Sequence, residues 1–213
     1  ITGWSYVGGL VGQIQSNGDS TMTLSDCINN GNVTGSSDYI GGLLGYIGRE
    51  KNMPIAISSC VNNGNVTGVF FFVGGVVGCL DRNIKIKMTI SNCTNDGLIT
   101  GSMKVGGFIG RFFDNTEVEV NISNCVNNGI ITGSDSLGGF VGAIKKKTNL
   151  AMAFSNCTNN EKVSGTDFVG GVVSSIEMST DSESTSFGII NSANKGNVSA
   201  ENRMACGMFC INL

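Results

Sequence analysis

Residues 40–45 read IGGLLG and residues 60–68 read CVNNGNVTG, and versions of both motifs recur along the whole chain. The second motif opens with a Cys in five copies, which are 33, 33, 32 and 32 residues apart. A fixed period in this range is typical of a solenoid, a propeller or another repeat array. The repeated cysteines are Cys27, Cys60, Cys93, Cys125 and Cys157, and Ser192 takes the sixth place.

The glycine motif runs in step with the cysteine motif. It starts at Val7, Ile40, Val73, Val105, Leu137 and Val169, and a degraded copy, ACGMFC, starts at Ala205. Its second Gly lies 18 residues before the Cys in five copies and 21 residues before Ser192 in the sixth, which predicts a loop in this variable segment. We predict a single array with repeats at about 1–35, 36–68, 69–101, 102–133, 134–165 and 166–200 and a partial copy at 201–213.

The segment before each Cys alternates apolar and polar residues, as in IKIKMTI at residues 84–90, which predicts a strand with one buried face. The predicted inward columns are Met22, Ile55, Met88, Val120, Met152 and Phe187; Leu24, Ile57, Ile90, Ile122, Phe154 and Ile189; and, on a second short strand, Val33, Val66, Ile99, Ile131, Val163 and Val198. The glycine motif is predicted to be a third strand, and helical periodicity is missing. The sequence therefore predicts an all-β parallel β-helix (β-solenoid) of six to seven rungs, with a propeller as the alternative.

Composition favours the same class. The chain has 32 Gly, one Pro and 40% hydrophobic residues, which suits frequent turns between apolar strands. A formal net charge of −3 without a basic stripe argues against a nucleic-acid partner. The sequence contains no apolar stretch long enough for a membrane-spanning helix and no secretion leader, so a leader, if one exists, is expected to lie outside this segment.

An asparagine column follows the Cys place by two residues and predicts a ladder of stacked side-chain amides. We expect a structural role for it rather than a ligand role. Its members are Asn29, Asn62, Asn95, Asn127, Asn159 and Asn194.

The cysteine column invites a redox or a metal hypothesis. Its spacing differs from that of zinc sites, and the chain has no His, so we predict no metal site. Stacked rungs bring neighbouring Cys within disulfide range but with parallel Cβ directions, which favours buried free thiols. Cys79, Cys206 and Cys210 lie outside the column, and Cys206 can pair with Cys210 if the last rung is irregular.

The glycine motif has apolar residues on both faces of the predicted strand, whereas a lone solenoid buries one face. One column is therefore predicted to pack against a further layer, from a partner or from a loop of this chain. This candidate packing face is Leu10, Leu43, Val76, Phe108, Phe140, Val172 and Met208, or else the Val column beside it.

Six acceptor sequons make glycosylation candidates of Asn32, Asn65, Asn92, Asn121, Asn156 and Asn197. Copying of an Asn- and Thr-rich turn is the alternative origin of these sequons. One hydroxyl column, Thr34, Thr67, Thr100, Thr132, Ser164 and Ser199, is similar to the hydroxyl ranks of ice-binding solenoids, which use at least two ranks.

The blocks NVTG…YIGGLLG and ITG…VGGFIG resemble the GLUG repeat, which is named for its Gly-Leu-any-Gly core and occurs in bacterial filamentous adhesins and surface proteins. The resemblance covers essentially the whole chain. The arrangement is similar, more loosely, to the β-helical passengers of polymorphic membrane proteins. A Cys in most rungs and the abundance of Asn depart from the usual pattern. The resemblance implies an extracellular repeat array used for attachment, matrix formation or filament building.

The leading functional hypothesis is a non-enzymatic structural or adhesive module of a cell-surface filament or adhesin, without a cofactor. The chain starts with the stub ITG and stops at MFCINL, so we expect a fragment of a longer solenoid that associates through open ends or the candidate packing face. Expected partners are other copies of itself, neighbouring repeats, and host or matrix glycans or proteins. The alternatives are a carbohydrate-active β-helix enzyme, which needs paired carboxylates, and an ice-binding protein. The acidic residues are scattered, at Asp81, Asp114, Glu117, Glu119, Asp167, Glu177, Asp181 and Glu183.

Overall fold

The computed structural model describes residues 1–15, 21–48, 53–82, 85–177 and 184–210, with the backbone alone at 114–116 and 146–148. The described residues form strands and turns without a helix, and the strands stack in parallel as a β-solenoid of about six rungs. The predicted fold class is therefore confirmed. The rungs begin, in order, at Thr2, Val33, Val66, Ile99, Ile131 and Val163, and a partial seventh begins at Val198.

Each rung contributes to four parallel sheets, named here by their motifs. The VTG sheet contains Thr2–Gly3, Val33–Gly35, Val66–Gly68, Ile99–Thr100, Ile131–Thr132, Val163–Gly165 and Val198–Ala200. The VG sheet contains Val7–Gly8, Ile40–Gly41, Phe71–Gly74, Met103–Gly106, Asp135–Gly138, Asp167–Gly170 and Ala205–Cys206. The Asn sheet contains Ile28–Asn29, Val61–Asn62, Thr94–Asn95, Val126–Asn127, Thr158–Asn159 and Ala193–Asn194.

The fourth, long sheet has an outgoing arm after the glycine motif and a return arm before the Cys. The outgoing arm contains Val11–Gln15, Leu44–Gly48, Val77–Asp81 and Val173–Glu177, and the return arm contains Met22–Ser25, Met53–Ser58, Lys85–Ser91 and Ser184–Ile190. In rungs four and five a single strand covers both arms, at Ile109–Ser123 and Val141–Ser155. The loop expected in this variable segment is therefore wrong for these two rungs, where the strand is continuous.

Like residues pair with like from rung to rung. Val120 pairs with Met88 on one side and Met152 on the other, and Asn95 pairs with Asn62 and Asn127. The inward columns predicted from the sequence line the interior, as expected from the alternation of buried and exposed residues in the return arm.

Two separate apolar cores run the length of the stack. The main core lies between the outgoing and return arms, where Phe140 contacts Phe154 with ring centroids 5.9 Å apart. The second core is narrower and lies between the VTG and VG sheets, with Val33 and Ile40 among its members. Glycine is required at the end of the second VTG strand, because a Cβ on Gly35 would lie 1.9 Å from the Ile40 side chain.

The candidate packing face is wrong as an external surface. Leu43, Val76, Phe108, Phe140 and Val172 are buried in the main core, while the Val column beside them is buried in the second core. The chain bends at the double glycine, so the motif is two short strands rather than one, and its two apolar columns enter different cores. Leu10 in rung one is 42% exposed, and Met208 is partly buried against the main core.

Truncation of two members of this column distinguishes a buried location of its side chains from a surface location. Phe140→Ala is expected to lower the free energy of unfolding by about 3–5 kcal/mol, because it opens a cavity beside Phe108 and Phe154. The matched control Leu10→Ala, at an exposed position of the same column, is expected to change it by less than about 1 kcal/mol. Urea unfolding followed by circular dichroism measures both, and equal small effects would contradict the internal placement.

Candidate functional site

A buried ladder of asparagine amides runs through the Asn sheet. In each rung the side-chain Nδ2 donates to Oδ1 of the next Asn, at 2.7 or 2.8 Å in all five steps. The same Nδ2 also donates to the backbone carbonyl two residues later, as from Asn62 to Gly64 at 2.9 Å. Asn62, Asn95, Asn127 and Asn159 are fully buried. The amides are therefore bonded along the stack without solvent, which is the predicted structural role.

The ladder packs directly against the double-glycine bend. A Cβ on Gly42 would lie 2.6 Å from Cγ of Asn62 and 2.0 Å from the Gly75 carbonyl oxygen. The same collision recurs for the second Gly of the motif in the other five rungs, with the Asn of its own rung. The first Gly is required for another reason, since a Cβ on Gly41 would lie 1.9 Å from the carbonyl oxygen of Leu44.

A second, exposed ladder lies one residue further on and was missed at the sequence level. Asn63 donates to Asn30 at 2.7 Å, Asn128 donates to Asp96 at 2.8 Å, and Asn160 donates to Asn128 at 2.8 Å. The paired Asn-Asn of the repeat is the signal that predicts it.

The cysteine column consists of free thiols that form hydrogen bonds with the backbone of the turn. Cys93 donates to the Ser91 carbonyl at 3.2 Å and accepts the backbone N–H of Cys60 at 3.4 Å. Ser192 makes the equivalent bonds with its hydroxyl group, which donates to the Ile190 carbonyl and accepts the Cys157 backbone N–H, each at 3.0 Å. Cys27 is half-buried, and the other four column thiols are buried.

Burial raises the pKa of the Cys60 thiol to about 11 and so disfavours the reactive thiolate. Outside the column, Cys79 is a buried free thiol whose pKa is also raised by burial. Cys206 and Cys210 form a disulfide with Cα atoms 5.6 Å apart.

All six sequon asparagines lie at exposed positions. Asn32 and Asn65 lie in the turn after the Asn sheet, where Asn65 Oδ1 accepts the Leu98 N–H at 3.0 Å. Asn92 and Asn156 precede the Cys column in the left-handed region, with φ of 53°. Asn121 lies on the outer face of the return arm, within Ile109–Ser123. Glycosylation of these sites stays a prediction.

Two of the acidic residues share a groove. Glu117 and Glu119 line a depression of about 440 Å³ on the outer face of the return arm, where they form ion pairs with Lys85 at 3.3 Å and with Lys87 at 3.4 Å. The structure disperses the others: Asp81 is buried, Glu177 pairs with Arg111, and Asp167 pairs with Arg203. The side chain of Asp114 and all of Asp181 and Glu183 lie outside the described residues.

A buried polar network on the outer side of the outgoing arm was also missed. Tyr46 donates to Asp81 Oδ2 at 3.1 Å, and Asp81 pairs with Arg82 at 3.7 Å. Burial first and the Asp81 carboxylate second raise the pKa of Tyr46, and burial with Cys79 and Asp81 raises the pKa of Tyr39 to about 12. The phenols therefore stay protonated at neutral pH.

Aromatic rings cover this network at the corner that joins the VTG and VG sheets. Tyr6 stacks on Tyr39 with centroids 4.9 Å apart, and Tyr39 contacts Phe72 at 5.2 Å. Tyr46 meets both tyrosines edge-on. Tyr6, Tyr39 and Phe72 all have positive φ, with 67° at Tyr39. Bulky side chains rarely adopt this backbone conformation.

No grouping of three or more metal-ligating residues occurs in the described part of the chain, and none of its residues forms a helix suited to cross a membrane. No protein-family model, no curated protein and no solved structure matches this chain. The resemblance to the GLUG repeat therefore rests on the motifs alone.

Proposed function

We propose that this chain is a structural or adhesive module of an extracellular or cell-surface filament or adhesin. The observation that carries the proposal is that the recurring residues stabilise the stack itself. The Asn ladder, the double glycine and the Cys column all contact the neighbouring rungs of the same chain, and they leave the outer side chains free to vary. Such a stack supplies a stiff support whose surface is available for attachment.

Two surface features agree with an extracellular setting. The six sequon asparagines are exposed, as the attachment of sugars requires. The Cys206–Cys210 disulfide is a bond of a kind that persists in oxidising compartments. The GLUG-like motifs point the same way.

Surface labelling of intact source cells tests this location. An antibody raised against the purified chain is expected to label cells without permeabilisation, and beads coated with the chain are expected to attach to the surface that the cells colonise. Beads coated with heat-unfolded chain are the control. Labelling that appears after permeabilisation alone would overturn the proposal.

A carbohydrate-active enzyme is the second candidate, and the groove containing Glu117 and Glu119 favours it. These residues are two apart on one strand and on the same face, so their Cα atoms are separated by roughly 7 Å, and both side chains line the groove. The proposed catalysis requires their carboxyl groups to lie about 5–9.5 Å apart. If this candidate is correct, the chain cleaves a polysaccharide, and Glu117→Gln together with Glu119→Gln lowers the rate at least 1000-fold. The control Glu161→Gln, on another surface, leaves the rate unchanged. Reducing-end release measures the activity, and equal rates for both variants would exclude this groove.

A further inference from the structure

We infer that the corner formed by rungs one to three is a binding platform for a neutral, linear glycan built from β-linked pyranose units. The corner comprises residues 4–6, 37–39 and 70–72, which read WSY, SDY and FFF. The inference rests on the proposed function and deepens it, since it names the class of ligand to which an adhesive module would attach.

The aromatic residues of the corner are not required by the fold. Rungs four to six make the same corner with SMK at 102–104, SDS at 134–136 and TDF at 166–168. These rungs keep the same parallel register, with Met103 paired to Asp135 and Asp135 to Asp167. Rungs four to six contain one aromatic residue at this corner, Phe168, whereas rungs one to three contain six. The patch of six has another physical consequence, which is an exposed apolar surface.

The outer column of the corner points away from the stack. Phe70 has a rung on either side of it and is still 47% exposed, and its neighbour Val69 is 55% exposed. Trp4 belongs to the same column and is 72% exposed. Backbone hydrogen bonds fix this column. Ser37 N–H donates to the Trp4 carbonyl at 2.8 Å, and the residues on either side of Phe70 bond rung two, where Val69 N–H donates to the Gly35 carbonyl at 3.2 Å and Tyr39 N–H donates to the Phe71 carbonyl at 3.3 Å.

The spacing of the two exposed rings suits a repeating ligand. Trp4 and Phe70 are two rungs apart, or about 10 Å along the stack, close to the length of two pyranose units in an extended β-linked chain. Ser37 lies between them in the same column, and its small side chain leaves room above it. Each ring therefore meets every second sugar, whose C–H face is apolar.

The polar groups of the corner match the hydroxyl edges of such a sugar chain. Ser36 is exposed beside the column, and Asp38 lies one residue inward of Ser37. Asp38 is held in place because its Oδ1 accepts the Phe71 N–H at 3.0 Å. Asp38 is the one ionisable carboxylate of the nine corner positions, and none of the nine is Lys or Arg, which disfavours nucleic acids and acidic polysaccharides.

Ring contacts hold the Phe70 part of the platform in place before any ligand arrives. Phe71 contacts Phe70 at 6.3 Å and Phe72 at 5.8 Å, and Phe72 continues into the stack of Tyr39 and Tyr6. The guanidinium carbon of Arg111 lies 5.4 Å from the centroid of the Phe72 ring and packs against its face. Little conformational entropy is therefore lost when a ligand binds to this preorganised part of the corner.

Fluorescence of Trp4, the single tryptophan of the chain, reports binding directly. Cellohexaose or chitohexaose, titrated into the purified full chain, is expected to produce a saturable change in emission. Cellobiose or chitobiose, which spans one ring, is expected to bind at least tenfold more weakly. Phe70→Ala is expected to weaken hexaose binding at least tenfold and to leave disaccharide binding unchanged.

The matched control is Ile190→Ala, which truncates an exposed apolar residue far along the stack and should bind the hexaose like the wild type. Urea unfolding of Phe70→Ala checks that the variant is folded. The inference is overturned if neither hexaose changes the emission up to millimolar concentration, or if Phe70→Ala binds as the wild type does. It is also overturned if the emission change accompanies a doubling of mass in sedimentation, since a second copy would then occupy the corner. Surface labelling is independent of these outcomes, so the failure of one proposal is distinguishable from the failure of the other.

Discussion

The close contact between the asparagine ladder and the double-glycine backbone is the constraint on which the structure depends. Each amide bonds the amide of the next rung, and each lies where a Cβ on the facing glycine would be. A buried amide without these partners would cost about 1–3 kcal/mol for each unsatisfied group. The contact therefore sets both the rung register and the bend that separates the two cores.

This constraint explains why the inward-facing residues recur from rung to rung, whereas the outward-facing residues vary. The Cys or Ser at the turn, the first glycine and the inward apolar residues all meet their own counterparts one rung away. The outward residues make no such contacts, so the corner accommodates six aromatic residues in rungs one to three and a single aromatic residue, Phe168, in rungs four to six. A surface of this kind can carry a function without disturbing the stack.

Much of the fold was predictable because identical residues recur at a fixed spacing. The parallel stacking, the Asn ladder, the column of free thiols and the inward columns each follow from one motif copied six times. The candidate packing face failed because the alternation rule assumes a continuous strand, whereas the chain bends between Gly42 and Leu44. That bend follows from contacts with Asn62 and Leu44, which only the folded chain brings together.

The aromatic corner and the Tyr46–Asp81 bond were beyond sequence reasoning for a related reason. They join residues that differ from rung to rung. In addition, Tyr6, Tyr39 and Phe72 at the corner have positive φ, which bulky side chains rarely adopt. The register has to be known before such contacts can be assigned. Once it is known, Tyr6, Tyr39 and Phe72 fall into one column.

The free energy of unfolding of two adjacent variants in rung four tests the central claim most directly. Asn127→Leu removes the acceptor of Asn95 and the donor to Asn159 and Gly129, so the account predicts a loss of at least about 3 kcal/mol. Asn128→Leu, in the exposed ladder, should lose less than about 1 kcal/mol, and Asn194→Leu, in the half-buried sixth place of the ladder, should fall between the two. Equal losses for Asn127→Leu and Asn128→Leu would contradict the account.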